Sequence, residues 1–223
     1  MSRSSTLNQE INLAKLPQVV LPDIFAFPPN RDTLGATAYL ILEKDHNILI
    51  DAPAWNETNQ GFIQEHGGIK WLYLTHRGAI GQALTIQKAT GCTILIQEQE
   101  AYLLPEATVT SFPDEVQFTP HCQGLWTPGH SPGSSCLYYA RHGGVLFTGR
   151  HLLPDQLGHP VPLRTAKTFH WQRQLRSLHL LQQRFTSENL AYILPGANIG
   201  LLHGKKSIHF TGDWGPGGQS IGY

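Results

Sequence analysis

The stretch Trp71–Gln82, WLYLTHRGAIGQ, constrains the architecture more than any other. Trp71, Leu72, Tyr73 and Leu74 read as a short buried strand. The strand delivers Thr75 and His76 and then passes straight into a helix expected from about Ala79 to Thr90, with Gly91 at its end. Such a junction belongs in an α/β protein and is a common way to build a site. The rigid strand holds the histidine, and the helix N-terminus beside it is electropositive.

The flanking segments extend this pattern. ATAYLIL (36–42) and NILIDAP (47–53) flank the turn Glu43-Lys44-Asp45-His46 and predict a hairpin of buried strands. Asn56–Gly67 reads as a helix capped by Thr58 or Asn56. Thr93–Gln97 is a further strand. Strands then dominate, around Val116–Phe118, Leu125–Thr127, Cys136–Ala140 and Val145–Thr148, with Gly143-Gly144 as a hairpin turn. Trp171, Leu175, Leu178 and Leu181 share one face of a helix expected from about Phe169 to Arg184, and Ala191–Pro195 is expected as the last strand. Four prolines in Leu16–Asn30 exclude a helix and predict an extended strap laid along the body. The chain thus divides into a partly disordered N-terminal strap (1–30), one domain (31–209) and a glycine-rich tail (210–223), in which Trp214 and Tyr223 are candidate docking anchors.

Five segments together resemble the metallo-β-lactamase fold superfamily, the glyoxalase II-like metallo-hydrolases. LIDAP places Asp51 at the family's strand-end aspartate, and THRGAIG places His76 at the first histidine of its Thr-His-x-His-x-Asp-His signature. TPGHSPGS (127–134) matches a ligand loop through His130, LFTGR (146–150) matches Leu-Phe-Thr-Gly-Asp, and ILPGAN (193–198) matches Leu-Pro-Gly-His. The resemblance spans roughly residues 34 to 200 and implies an α/β fold, the four-layer αββα sandwich of the metallo-β-lactamase type. It also implies a dinuclear centre of zinc, iron or manganese. Of the implied ligands His76 and His130 remain, whereas Gly78, Ile80, Gly81, Arg150 and Ala197 stand at five donor positions. Zinc needs about four converging N, O or S donors. A guanidinium at the bridging carboxylate position repels a divalent cation.

The expectation is therefore a non-hydrolytic binding or interaction module with no cofactor. Its pocket would be centred on Arg150, with Arg77, His76 and His130 binding a carboxylate or phosphate. Arg150 would also neutralise Asp51 from within. The alternative is a hydrolase of a thioester, lactone or phosphoester. There His76 or His130 would act as base, Arg150 would serve the oxyanion and Asp51 would orient His76, or a zinc or iron ion would be rebuilt on His76, His130 and His151. His203, His209 and Cys122 are further candidate donors.

Formal net charge is zero at pH 7, which argues against nucleic acid as a partner and favours a small anionic ligand or a protein. Cys92, Cys122 and Cys136 form no paired motif and suit free thiols in a reducing compartment. With no apolar leader or membrane-length run, a cytoplasmic location is expected.

Overall fold

Side-chain alternation along the central strands decides the layering, because successive residues of a strand face opposite sides of its sheet. In β3 (Tyr39–Ile41) and β4 (Ile48–Ile50), Tyr39, Ile41, Ile48 and Ile50 join one core, while Leu40 and Leu49 join another. In β5 (Trp71–Leu74) and β6 (Thr93–Gln97), Tyr73 and Leu95 continue the first core and Leu72, Leu74, Ile94 and Ile96 the second. A sheet buried on both faces needs a layer on each side.

The computed structural model describes residues 15–45 and 47–215. With β1 (Gln18–Leu21), β2 (Ile24–Ala26) and β7 (Val109–Phe112), these strands form a seven-stranded sheet in the order β1-β2-β3-β4-β5-β6-β7. The second sheet has six strands in the order β15-β14-β11-β10-β9-β8. They are β8 (Glu115–Gln117), β9 (Cys122–Trp126), β10 (Ser135–Tyr139), β11 (Val145–Gly149), β14 (Tyr192–Pro195) and β15 (Ile208–His209). The inter-sheet core joins Tyr39, Tyr73 and Phe112 to Leu137, Phe147 and Leu194. Two tyrosines bridge the layers through their hydroxyls: Tyr39 donates to the Pro195 carbonyl at 2.7 Å and Tyr73 to that of Cys136 at 3.0 Å. Helices α1 (Glu57–Glu65) and α2 (Ala83–Thr90) cover the outer face of the first sheet through Ile63, Ala83 and Ile86. Helix α4 (Trp171–Arg184) covers the second through Leu178 and Leu181. The result is the expected αββα sandwich.

Several local expectations are corrected. The proline-bearing strap is extended and not helical, as expected, but it belongs to the sheet: β1 and β2 pair antiparallel and extend it at its edge. Pro17, Pro22, Pro28 and Pro29 lie outside both strands, so none removes a ladder donor. The segment after His76 does not run straight into a helix: a 3-10 turn (Arg77–Ala79) and Gly81 at φ +42° precede α2. Asn56, not Thr58, caps α1, accepting the Asn59 N–H at 2.9 Å. The short α3 (Glu98–Ala101) and the hairpin of β12 (Leu153–Pro154) and β13 (Pro160–Val161) were not expected. β15, not the Ala191–Pro195 segment, is the last strand. In α4 the buried positions are Gln174, Ser177, Leu178 and Leu181, so Trp171 and Leu175 sit at the edge of the apolar face. Trp214 is buried, its ring 4.7 Å from that of Phe210 in the outer core of the second sheet, and offers no docking anchor. Tyr223 lies outside the described residues. The three cysteines are free and buried. Among the described residues no helix is long and apolar enough to cross a membrane.

Candidate functional site

The site residues come together because the strands that carry them end at one edge of the sandwich. β4 and β5 run parallel, as do β11 and β14, and each pair releases its chain toward the same rim. Backbone bonds sew the rim together: Ser135 N–H donates to the Thr75 carbonyl, Gly196 N–H to that of Gly149, and Thr37 N–H to that of Gly196.

Asp51 follows β4 in the left-handed region, at φ +60°. It is buried, and Thr75 fills its carboxylate: the Thr75 N–H donates to Oδ1 at 2.8 Å, and the Thr75 hydroxyl lies 2.9 Å from Oδ1 and 2.8 Å from Oδ2. That hydroxyl is also 2.9 Å from Nδ1 of His76. A continuous chain therefore runs Asp51–Thr75–His76. Burial pushes the Asp51 carboxyl up to about 7; the bonds from Thr75 and the charge of Arg150 oppose the rise. Burial, then the neighbouring His130, Arg150 and Arg77, hold His76 well below the usual histidine range, so it is neutral. Its Nε2 is buried and has no partner among the described residues.

His130 lies in the turn between β9 and β10. Its ring stands edge-on to that of His76, with centroids 5.0 Å apart. Burial, followed by Arg150, Arg77 and Lys167, lowers it to about 4. The start of α4 fixes this turn: Phe169 N–H donates to the His130 carbonyl and His170 N–H to that of Gly129. A Cβ at Gly129 would meet the Gln174 backbone at 2.3 Å, so only glycine allows that approach.

Arg150 follows Gly149, the last residue of β11. Its Nη2 donates to the carbonyls of Leu34, at 2.9 Å, and Thr33, at 3.2 Å. No hydrogen bond joins it to Asp51, so the expected neutralisation is limited to the effect of its charge, which opposes the rise of the Asp51 carboxyl. Thr75 already occupies the carboxylate, and the end of the Arg31–Thr33 turn offers carbonyls that a guanidinium satisfies well. Arg150 acts on Asp51 only as a nearby charge.

His76, Arg77, His130 and Arg150 thus line one cleft of roughly 320 Å³, joined by Leu34, Gly78 and the Thr165–Phe169 segment with Lys167. Asp51 lies behind His76 and does not line it. His151 is fully buried outside the cleft, with neither ring nitrogen partnered among the described residues, and burial lowers it to about 3. His203 and His209 line a different cleft beside β15.

Three contributors were not singled out from the sequence. Thr75 was read only as a strand end, yet it is the link between Asp51 and His76. Lys167 sits in a loop without motif or period. Glu100, on α3, is buried and accepts the Arg77 N–H at 2.6 Å and the Gly133 N–H at 3.1 Å, so one carboxylate ties together the two histidine-bearing loops. Its only sequence signal was a charged residue close after an apolar strand.

The donor set does not fit a metal ion. Among the described residues no three His, Cys, Asp or Glu side chains form a group that could hold one, including His76, His130 and His151. His76 and His130 bring two imidazoles to the cleft where zinc needs about four converging donors, and Arg150 places a cation at the rim.

No family model matches the sequence, and no curated protein matches it. Solved structures do match. DIM-1 metallo-β-lactamase superposes with a TM-score of 0.64 at 16% identity, covering 85% of this chain and 94% of that one. BLEG-1, a B3 metallo-β-lactamase, gives 0.62 at 18% identity, covering 78% and 91%. An archaeal metallo-β-lactamase superfamily protein from Sulfolobus tokodaii gives 0.60 at 13%, covering 85% and 82%. At such identities the likeness speaks for architecture, not chemistry. In architecture, with its two sheets and flanking helices, the chain has the metallo-β-lactamase fold.

Proposed function

We propose that the protein is a binding module that captures a small oxyanion, a carboxylate or a phosphate, in the cleft of His76, His130 and Arg150. The observation that carries the reading is the charge of the cleft wall. Arg77, Arg150 and Lys167 line it, and among the described residues no carboxylate does. The two histidines in the same wall are neutral, so they add hydrogen-bonding capacity but no charge. Fixed cations around a concave, partly desolvated site raise the local concentration of anions and bind them through charge-assisted hydrogen bonds. The ligand is small and anionic, and a cytoplasmic setting suits the three free thiols. The test is thermal stabilisation by phosphate. Phosphate should raise the melting temperature of the parent protein and not that of Arg150→Ala; equal stabilisation of both would remove the reading.

One observation favours a second reading, hydrolysis without a metal. The Asp51–Thr75–His76 chain orients a neutral imidazole beside Arg150, as a base and an oxyanion donor would be arranged. Among the matching structures is a quorum-quenching N-acyl homoserine lactone lactonase, with a TM-score of 0.59 at 16% identity, covering 80% of this chain and 92% of that one. Lactones are accordingly the first substrates to screen, followed by thioesters and phosphodiesters. Turnover that survives both His76→Ala and His130→Ala would not come from this site.

A further inference from the structure

The hydrogen-bond chain behind His76 sets what the cleft asks of its ligand. The Thr75 hydroxyl lies within 2.9 Å of both Asp51 oxygens and of His76 Nδ1, yet it has a single hydrogen. An ionised Asp51 has none to give, so the Thr75 hydrogen goes to Asp51. The contact with His76 then needs the hydrogen of Nδ1. A neutral imidazole carries one N–H, which leaves Nε2 as a bare acceptor.

That acceptor is buried and has no partner among the described residues. Its ring is tied to Thr75 at the opposite edge and forms part of the cleft wall. Gly78 lies against Nε2, so closely that a Cβ there would stand 3.1 Å away, and it brings no side-chain donor. The residue that carries this orphaned acceptor lines the same cleft as Arg77, Arg150 and Lys167. A fully deprotonated oxyanion would satisfy the cations but press its own lone pairs against Nε2. An oxyanion that keeps one hydroxyl satisfies both.

We propose that the cleft selects oxyanions that carry their own hydroxyl donor, hydrogenphosphate or a 2-hydroxycarboxylate, with His76 Nε2 accepting that hydrogen while Arg150 and its neighbouring cations hold the charge. This deepens the anion-binding reading and rests on it.

Calorimetric titration at pH 8, above the value of about 7 for Asp51, separates the two. There hydrogenphosphate and sulfate are both tetrahedral dianions, and only the former has a hydroxyl. The expected result is phosphate binding about tenfold or more tighter than sulfate, the scale of one satisfied hydrogen bond against an unsatisfied buried acceptor. Glycolate should exceed acetate in the same way. In His76→Phe, which keeps the ring volume and removes the acceptor, the preference should shrink to within about twofold, the ordinary scatter of a site without that bond. Equal affinity within either pair in the parent protein overturns the selectivity and leaves the anion site standing. Binding of none of the four anions overturns the anion site itself. A preference for phosphate that survives His76→Phe assigns the discrimination to another group and overturns the role of His76. The comparison on the parent protein decides the matter even if the variant does not fold.

Discussion

Substituting Gly149 by alanine tests how tightly the site is built. Gly149 has φ +51°, and a Cβ added to it would lie 2.4 Å from Oγ1 of Thr75 and 2.7 Å from its Cβ. Two costs combine. Holding an L-residue in the left-handed region costs roughly 1–2 kcal/mol. Forcing a methyl into a packed interior costs about 1–3 kcal/mol more. Reduced freedom of the unfolded chain returns about 0.4–1 kcal/mol. The net expectation for Gly149→Ala is a loss of about 1–4.5 kcal/mol. Gly91→Ala is the matched control: Gly91 has φ +71° and nothing within 4 Å of a built Cβ, so only the backbone cost applies, about 0.5–1.5 kcal/mol net. Urea denaturation of both variants, compared at a common slope, measures the difference. If the two lose the same stability within about 0.5 kcal/mol, the close approach of β11 to Thr75 contributes nothing and the packing argument fails. A displaced Thr75 would also loosen the link to His76, so phosphate affinity should fall in Gly149→Ala and not in Gly91→Ala.

Glu100→Gln should cost about 1–3 kcal/mol in the same assay, because an amide cannot accept from both the Arg77 and Gly133 N–H groups without turning its own NH2 toward one of them; an unchanged midpoint would show that the clamp is idle. Trp214→Ala should cost about 3–5 kcal/mol, the scale for a buried aromatic, and a loss below about 1 kcal/mol would place the ring outside the core. Acidification should destabilise the fold. His76, His130 and His151 have folded values below the unfolded one, so their contribution is present above about pH 6.5 and is lost as pH falls, by up to about 1.4 kcal/mol per pH unit for each group. Asp51, raised to about 7, works in the opposite sense: its contribution is present at low pH and is lost as pH rises through about 7. Three groups against one make the urea midpoint fall between pH 6.5 and 4.5, and a midpoint that holds or rises would refute these assignments.

The fold was legible because the central strands carry their period openly. Tyr39, Ile41, Ile48 and Ile50 alternate with Leu40 and Leu49, and the same motifs mark the rim where those strands end. What was not legible was short or set by tertiary contact. β12, β13 and β15 have two residues each, too few to show a period. β1 and β2 were hidden by prolines that fall just outside them. The edge of the strand–helix junction was misplaced because Gly81 turns the chain before α2 begins. In the site, the grouping of His76, Arg77, His130 and Arg150 followed from the motifs, but the partners of Arg150 did not. The carbonyls of Thr33 and Leu34 lie more than a hundred positions earlier in the chain and bear no side-chain signature.

The grip of Arg150 on those carbonyls bears on binding strength. Both bonds use Nη2, and among the described residues Nη1 and Nε make none. An arginine on an open surface must give up most of its rotamer freedom when it closes on a ligand. Here the loop has already immobilised the side chain by one nitrogen and left the remaining face of the fork unspent. The entropy of ordering is charged to folding rather than to capture, so on the anion-binding reading the cleft would hold a small ion more firmly than its charge alone would suggest.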